Sequence, residues 1–429
     1  MSEGRDLPAV VMVGIDMRRL SVDSSKQRPA CNTAENNRGN IMLSRFSLFA
    51  GLMILLAQQA TATSNQPAAD VASFADSQAL TTHLRELGYK YRGGIDRATT
   101  ELDAGRSGAF PHFSSSFSVG GKVYPFTMIG YPPASGTSAG IKSVIIPLHM
   151  NFVGFGTKGR ISHSFDPSPA VANIIGSPLY VPAVFPNGTG QFGDQMQRAA
   201  FWNQMDSYHR WHVLMNGPVM GPTVDIEVTP VTGTLSRDSA GNAFGDVKID
   251  FIDAEIKTIL QLLDLGFDTL PIFVTDQVTA QALGYHNAYT VKDDEGNTRL
   301  QTFIYTSWLD PALVSSLFAD VSTFNHELLE WMNDPFVNNS TPDWFYPPAS
   351  DPAAVCSGNP SLEVGDPQGN GPTYADFPTF VSQVGGVSYH LQQLVLWQWF
   401  ADQVPSSAYQ GWYTFPVPSA LTVPAVYCN

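Results

Sequence analysis

Positive charge is scarce in this chain: 23 Lys and Arg stand against 38 Asp and Glu in 429 residues. A surface so depleted repels phosphate backbones, which argues against nucleic acid as a partner. Charged residues of both signs reach only 14%, while 43% are hydrophobic, a balance that argues against disorder of the whole chain. Long apolar runs are missing as well. The one run of note, Phe46 to Ala57, is shorter than the roughly 20 residues a membrane-spanning helix requires. Cysteine is nearly absent, with Cys31, Cys356 and Cys428 as the full complement. What the chain has in quantity is Gly and Pro, 67 together, and 11% aromatics, which points to many turns and much sheet rather than a helical bundle.

Residues 42–62 combine Met42, the positive Arg45, the Phe46 to Ala57 run and the small residues Ala60-Thr61-Ala62. That is the three-part layout of a secretory signal peptide, so the mature chain is expected to begin near Thr63 and to be secreted or otherwise extracytoplasmic, with no stable membrane span. Residues 1–41 are polar and unpatterned, and translation from Met42 or a disordered leader accounts for them. Removing the seven Lys/Arg and five Asp/Glu of residues 1–62 leaves 16 basic against 33 acidic side chains, a net charge of −17. Cys356 and Cys428 then remain, and in an oxidising compartment they can form a disulfide, the alternative being two buried free thiols.

The mature chain shows no internal repeat. A helical stretch is expected around Ala79 to Leu87. Strands are expected from Ser114 to Phe155 as neighbours, around His212 to Met215, and over Val224 to Val231. Two further buried strands are LPIFVTDQV and LQTFIYTSW, the second preceded by the hairpin-like Lys292 to Arg299. Helices are expected from Pro167 to Ile175, from Gln191 to Met205, from Pro311, and from an Asp253 cap to about Leu265 with Ile256, Ile259, Leu260 and Leu263 as its apolar stripe. The fold class is α+β, with a β-rich part over 63–240 and a part over 241–429 that holds the chemistry, or one domain over 63–429.

That chemistry centres on STFNHELLEWMNDP, residues 322–335. On a helix His326 and Glu330 lie one above the other, Glu327 sits about 100° round, and Pro335 ends the helix after Asp334. An imidazole nitrogen and a carboxylate oxygen both ligate zinc, and a catalytic site needs three protein ligands with a water. Glu327 is then placed to be the base that deprotonates the water. The third ligand must come from elsewhere: Glu363 first, then Asp366 of LEVGD, then His390, with Asp334 a further alternative. A pattern that fixes three positions also fits an ordinary surface helix. Gly188 to Gly193 matches a dinucleotide fingerprint, but Pro182 and Pro186 break the segment before it, so it reads as a turn entering a helix. Ser138 in Gly136-Thr-Ser-Ala-Gly140 matches a hydrolase elbow without the strand before it that the elbow needs.

The residues HELLEWMNDP from His326, the pair Trp344-Phe345, LEVGD from Leu362 and YHLQQLVLWQWF from Tyr389 resemble a set of bacterial secreted zincin-like proteins. More distantly they are similar to the plant phosphate-induced EXORDIUM-like proteins, and GTGQFGDQMQRAAFW from Gly188 looks like a second shared block. The resemblance implies a zincin-like mixed sheet with a metal-site helix and a site lined by His326, Glu327, Glu330, Glu363 and Asp366. It also implies a zinc-dependent hydrolase acting on a peptide or protein, with Asp366 or His390 orienting a ligand. Two departures stay open. Zincin metallopeptidases carry His where Glu330 stands, so the site is richer in oxygen and calcium is an alternative ion. The same frame also serves a non-catalytic secreted or wall-associated binding protein.

Overall fold

The sequence SVGGKV sets the first hairpin. Strand β1 (His112–Val119) pairs antiparallel with β2 (Lys122–Ile129), and Gly120 and Gly121 between them take φ of 58° and 82°. Positive φ at both positions is the type I′ hairpin turn, which glycine adopts without a Cβ penalty. The computed structural model describes residues 72–73 and 110–428, apart from 157–159, 264, 293–295, 346–355, 359, 370–378, 407–410, 418–420, 422 and 426. The leader at 1–41, the signal-peptide segment at 42–62 and the stretch Ala79 to Leu87 lie outside these residues.

The next strand, β3 (Ala139–Val153), does not neighbour the hairpin as expected but runs through the principal sheet. Its Ala139, Ile141 and Ile145 face one core and its Val144, Ile146, Leu148, Met150 and Phe152 a second. Such alternation is what the two-residue period of a strand requires of an element buried on both faces. Helices α1 (Ser168–Ile175) and α2 (Phe192–Phe201) follow, then the short strand β4 (Val213–Met215) and β5 (Val224–Val228). After helix α3 (Ile249–Leu263) come β6 (Thr269–Asp276), β7 (Gly284–Lys292) and β8 (Thr298–Trp308).

The sheet runs in the order β5-β3-β6-β8-β7, parallel from β5 to β8, with β7 antiparallel beyond it. The fold is therefore strand-rich mixed α+β. Because β3 lies between β5 and β6, residues from both sides of position 240 build one sheet. Among the described residues no helix is long and apolar enough to cross a membrane. Cys356 and Cys428 are joined as a disulfide across 72 residues of sequence, and the adjoining Trp344 packs edge-on to Trp399, 5.5 Å between centroids.

Two helix expectations change. Helix α3 starts at Ile249, so Asp253 lies inside it and is no cap; the Lys248 carbonyl accepts from the Phe251 and Ile252 amides, and Gln281 Oε1 accepts from the Ile249 amide at 3.3 Å. Of the expected apolar stripe, Ile256, Ile259 and Leu260 are buried, while Leu263 at the end of the helix is half-buried. No helix forms from Pro311: Asp310 Oδ1 accepts from the Ala312 amide at 2.8 Å and Ser315 Oγ from the Leu317 amide at 3.4 Å. Such local side-chain bonds compete with helix propagation and leave two separate turns.

Candidate metal centre

Helix α4 (Ser322–Asn333) is buried along its whole length, on every face. It packs on β7 and β8, on β2, and on the hairpin of β9 (Thr379–Val384) and β10 (Val387–Gln392), which follows the short helix α5 (Asp366–Gly369). Phe324, Leu328, Leu329, Trp331 and Met332 supply the apolar contacts. The polar residues then need partners, because an unsatisfied buried polar group costs about 1–3 kcal/mol. Thr323 Oγ1 donates to Ser307 O at 2.6 Å, Asn325 Nδ2 to Gln392 O at 3.0 Å, and Trp331 Nε1 to Thr302 Oγ1 at 3.0 Å. His326, Glu327 and Glu330 instead face a common cluster with His286 of β7 and with Glu363 and Asp366 of the segment entering α5.

Glycine makes that convergence geometrically feasible. A Cβ on Gly365 would fall 2.4 Å from His326 Cε1 and Nδ1, and one on Gly284 would fall 2.8 Å from Glu327 Cγ. The bare backbone at 365 lets its amide donate to Glu330 Oε1 at 3.0 Å while Glu363 and Asp366 flank it. Gly365→Ala is therefore expected to displace the His326 ring and to cost about 1–3 kcal/mol, the range for overpacking; a melt comparing variant and wild type checks it.

The tautomers follow from the hydrogen bonds. Gln392 Nε2 donates to Gly365 O at 3.1 Å, so its Oε1, 2.8 Å from His326 Nδ1, can only accept and Nδ1 carries the proton. His326 Nε2 is thus a lone pair, and it faces Glu330 Oε1 at 3.0 Å. His286 Nε2 donates to the Asp334 carbonyl at 3.1 Å, which leaves its Nδ1 lone pair facing Glu327 Oε2 at 3.3 Å and Glu330 Oε2 at 3.9 Å. Acceptor confronts acceptor at both imidazoles, an arrangement that a shared cation or proton relieves. Glu363 Oε1 and Oε2 and Glu327 Oε1 are buried without a hydrogen-bond partner among the described residues.

Burial governs the protonation. It pushes Glu327 and Glu363 well above the usual carboxylate range, reinforced in both by the Glu330 charge. It raises Glu330 and Asp334 to about 7, opposed in each by His286. The same desolvation lowers His286 and His326, with neighbouring carboxylates opposing. Two imidazoles cannot neutralise the four carboxylates Glu327, Glu330, Glu363 and Asp366 in such an interior. Searches of family models, of curated proteins and of solved structures find no match to the chain.

The residues picked out in the sequence divide clearly. His326, Glu327 and Glu330 offer ligand atoms within 4.8 Å of one another, and Glu363 joins Glu330 in a second such group completed by His286. Asp366 Oδ1 lies 3.7 Å from His326 Nε2. Asp334 turns its carboxylate away, Oδ1 accepting from the Asn338 and Asn339 amides at 2.9 and 3.0 Å. His390 pairs with Asp320, Nδ1 to Oδ2 at 2.6 Å, rather than with the cluster. Sequence reasoning missed His286. Its signal is an imidazole and an amide, His286-Asn287, in the middle of the otherwise apolar run Leu283 to Tyr289.

The block from Gly188 turns its polar groups to structure. Gln191 bonds Tyr180 O and the Met215 amide and carbonyl, and Asp194 takes the Val213 amide and the His212 ring. Ser138 is exposed, its Oγ donating to Arg210 O at 3.0 Å, on the turn that enters β3.

Proposed function

We propose that the protein is a secreted metal-dependent hydrolase, with zinc as the ion and peptide bonds as the substrate class. The carrying observation is the His326 Nε2 lone pair aimed at Glu330 Oε1, 3.0 Å away, with its Nδ1 proton held by Gln392. Metal-ligating imidazoles are oriented in this way by a partner on the far ring nitrogen. The donor set fits zinc: two imidazoles are poor company for calcium, which takes six to eight oxygens. The Cys356–Cys428 disulfide supports an oxidising compartment. Peptide as substrate, and a zincin-like frame, rest on the resemblance of the 326–335, 362–366 and 389–400 stretches.

Zinc bound there would polarise a carbonyl and bring the pKa of a bound water to about 7. The chain's own residues do the rest. His326 and Glu330 would hold the ion, with Glu363 and Asp366 within the same cluster. Glu327 would take the proton on Oε1, which has no hydrogen-bond partner among the described residues, while Oε2 is 3.3 Å from His286 Nδ1. Gln392 and the Asp334 carbonyl fix the two rings, so little reorganisation accompanies proton transfer.

Glu327→Gln decides the reading. A proton acceptor contributes about 10²- to 10⁴-fold, so the variant is expected to keep its zinc and lose peptide hydrolysis by that factor. Retained hydrolysis in the variant refutes the role of Glu327. One observation favours a non-catalytic binding protein with a structural metal: even Asp366, the most open carboxylate of the cluster, has a side chain only 8% exposed. Under that reading no peptide in a library is cut by the zinc-loaded wild type, and closed structural sites lack a bound water.

A further inference from the structure

We propose that the cluster is a two-metal centre in which Glu330 is the bridging carboxylate, one ion lying on the His326 side and the other on the His286 side. The inference rests on the metal reading above and extends it. Its basis is the division of labour between the two oxygens of Glu330. Oε1 lies 3.0 Å from His326 Nε2, and Oε2 lies 3.9 Å from His286 Nδ1. Each oxygen thus addresses a different imidazole, and each of those nitrogens is a lone pair by the tautomer argument. A carboxylate spanning two ions in this manner suits a separation of about 3.5–4 Å, the spacing of two-metal hydrolytic sites.

The remaining donors sort to the same two sides. His326, Glu327 and Glu330 form one group of mutually close ligand atoms, and His286, Glu330 and Glu363 the other. Asp366 adds to the first, 3.7 Å from His326 Nε2. Glu363 is the independent sign of a second ion: it is 3% exposed, neither carboxylate oxygen accepts a hydrogen bond from an N–H or O–H donor among the described residues, and Oε2 lies 3.9 Å from His286 Nε2, the nitrogen beyond the Nδ1 lone pair. A single ion at His326 and Glu330 would leave that carboxylate buried beside a neutral imidazole, with only a proton shared with Glu330 to compensate it. The four carboxylates of the cluster, Glu327, Glu330, Glu363 and Asp366, carry more negative charge than one divalent ion offsets, and two ions bring the site to balance. Glu327, lying between the imidazoles with Oε2 3.3 Å from His286 Nδ1, borders both positions.

The test is metal stoichiometry on the full chain, loaded with zinc and then desalted, beside His286→Gln and His326→Gln. Wild type is expected to hold two zinc ions and His286→Gln one. Wild type loaded with two equivalents of manganese gives a second measurement that needs no variant. An exchange-coupled electron paramagnetic resonance signal is expected in place of the resolved hyperfine pattern of isolated ions. One zinc in wild type, unchanged in His286→Gln and with uncoupled manganese, overturns the bridge and leaves the single-metal hydrolase standing. No bound metal in wild type overturns both.

Discussion

Glu330→Gln is expected to abolish stabilisation by zinc and, measured in chelator at pH 8, to raise the melting temperature above that of metal-free wild type. The two halves have one cause. Glu330 lies 3.0 Å from the His326 ring with one oxygen and 3.9 Å from the His286 ring with the other, and it accepts the Gly365 amide, so no arrangement of the remaining donors replaces it. Zinc at a thousand times its dissociation constant stabilises the folded state by about 4 kcal/mol. In a chain of this length that corresponds to roughly 8 °C, taking about 2 °C per kcal/mol, and the variant forfeits it. Without metal the carboxylate is a liability, buried with Glu327 and Glu363 close enough to push one another up. An uncharged amide of the same shape removes that repulsion, and replacing buried charge by a neutral isostere is often neutral or stabilising by about 1–4 kcal/mol. Thermal melts with zinc and with chelator decide it. A zinc-induced shift that survives in Glu330→Gln, or a metal-free variant that melts well below wild type, sinks the argument.

How far the site could be read in advance depended on whether its donors share one local element. His326, Glu327 and Glu330 lie within five residues, and helical periodicity alone puts them on adjoining faces. Glu363 and Asp366 stood out because two carboxylates in LEVGD have no solvent-exposed context to explain them. His286 comes from β7, an edge strand whose register against β8, His286 opposite Ile304, sets it over the helix. Strand pairing is non-local, and nothing in the spacing of 40 residues between His286 and His326 announces a contact. Histidine in an aromatic strand is also common in ordinary cores, so residue type gave no alarm.

The fold was legible in similar measure. Buried runs such as LPIFVTDQV become β6, and the Ile256, Ile259, Leu260 stripe becomes the inner face of α3. Errors arose where a plausible signal met a stronger local bond, as when Asp253 was given a capping role that the Lys248 carbonyl and Gln281 fill four residues earlier. Sheet order was out of reach, because β3 gains its partners from segments far along the chain on either side of α3.

Metal-free protein is expected to lose stability as pH rises from about 6.5 to 8.5, and zinc-loaded protein to show no such loss. In the folded chain Glu330 and Asp334 release their protons near pH 7, whereas in the unfolded chain carboxylates do so near 4. Between these values the folded state holds more protons than the unfolded state, so stability falls with rising pH. His286 and His326 act in the opposite sense, their folded-state affinities being lowered. At pH 6.5 about half of the unfolded histidine is still protonated, so each of the two returns only about 0.4 kcal/mol over the rest of the window. The carboxylates outweigh them: Glu330 and Asp334 account for about 1 kcal/mol each across the window at 1.4 kcal/mol per unit, and Glu327 and Glu363 add to it with the same sign. Zinc requires deprotonated carboxylates and neutral imidazoles, so its affinity climbs over the same interval and offsets the loss. Denaturant midpoints at pH 6.5, 7.5 and 8.5, with chelator and with zinc, test both slopes. A metal-free midpoint that is flat or rising would mean that the buried carboxylates are neutralised by something other than protons.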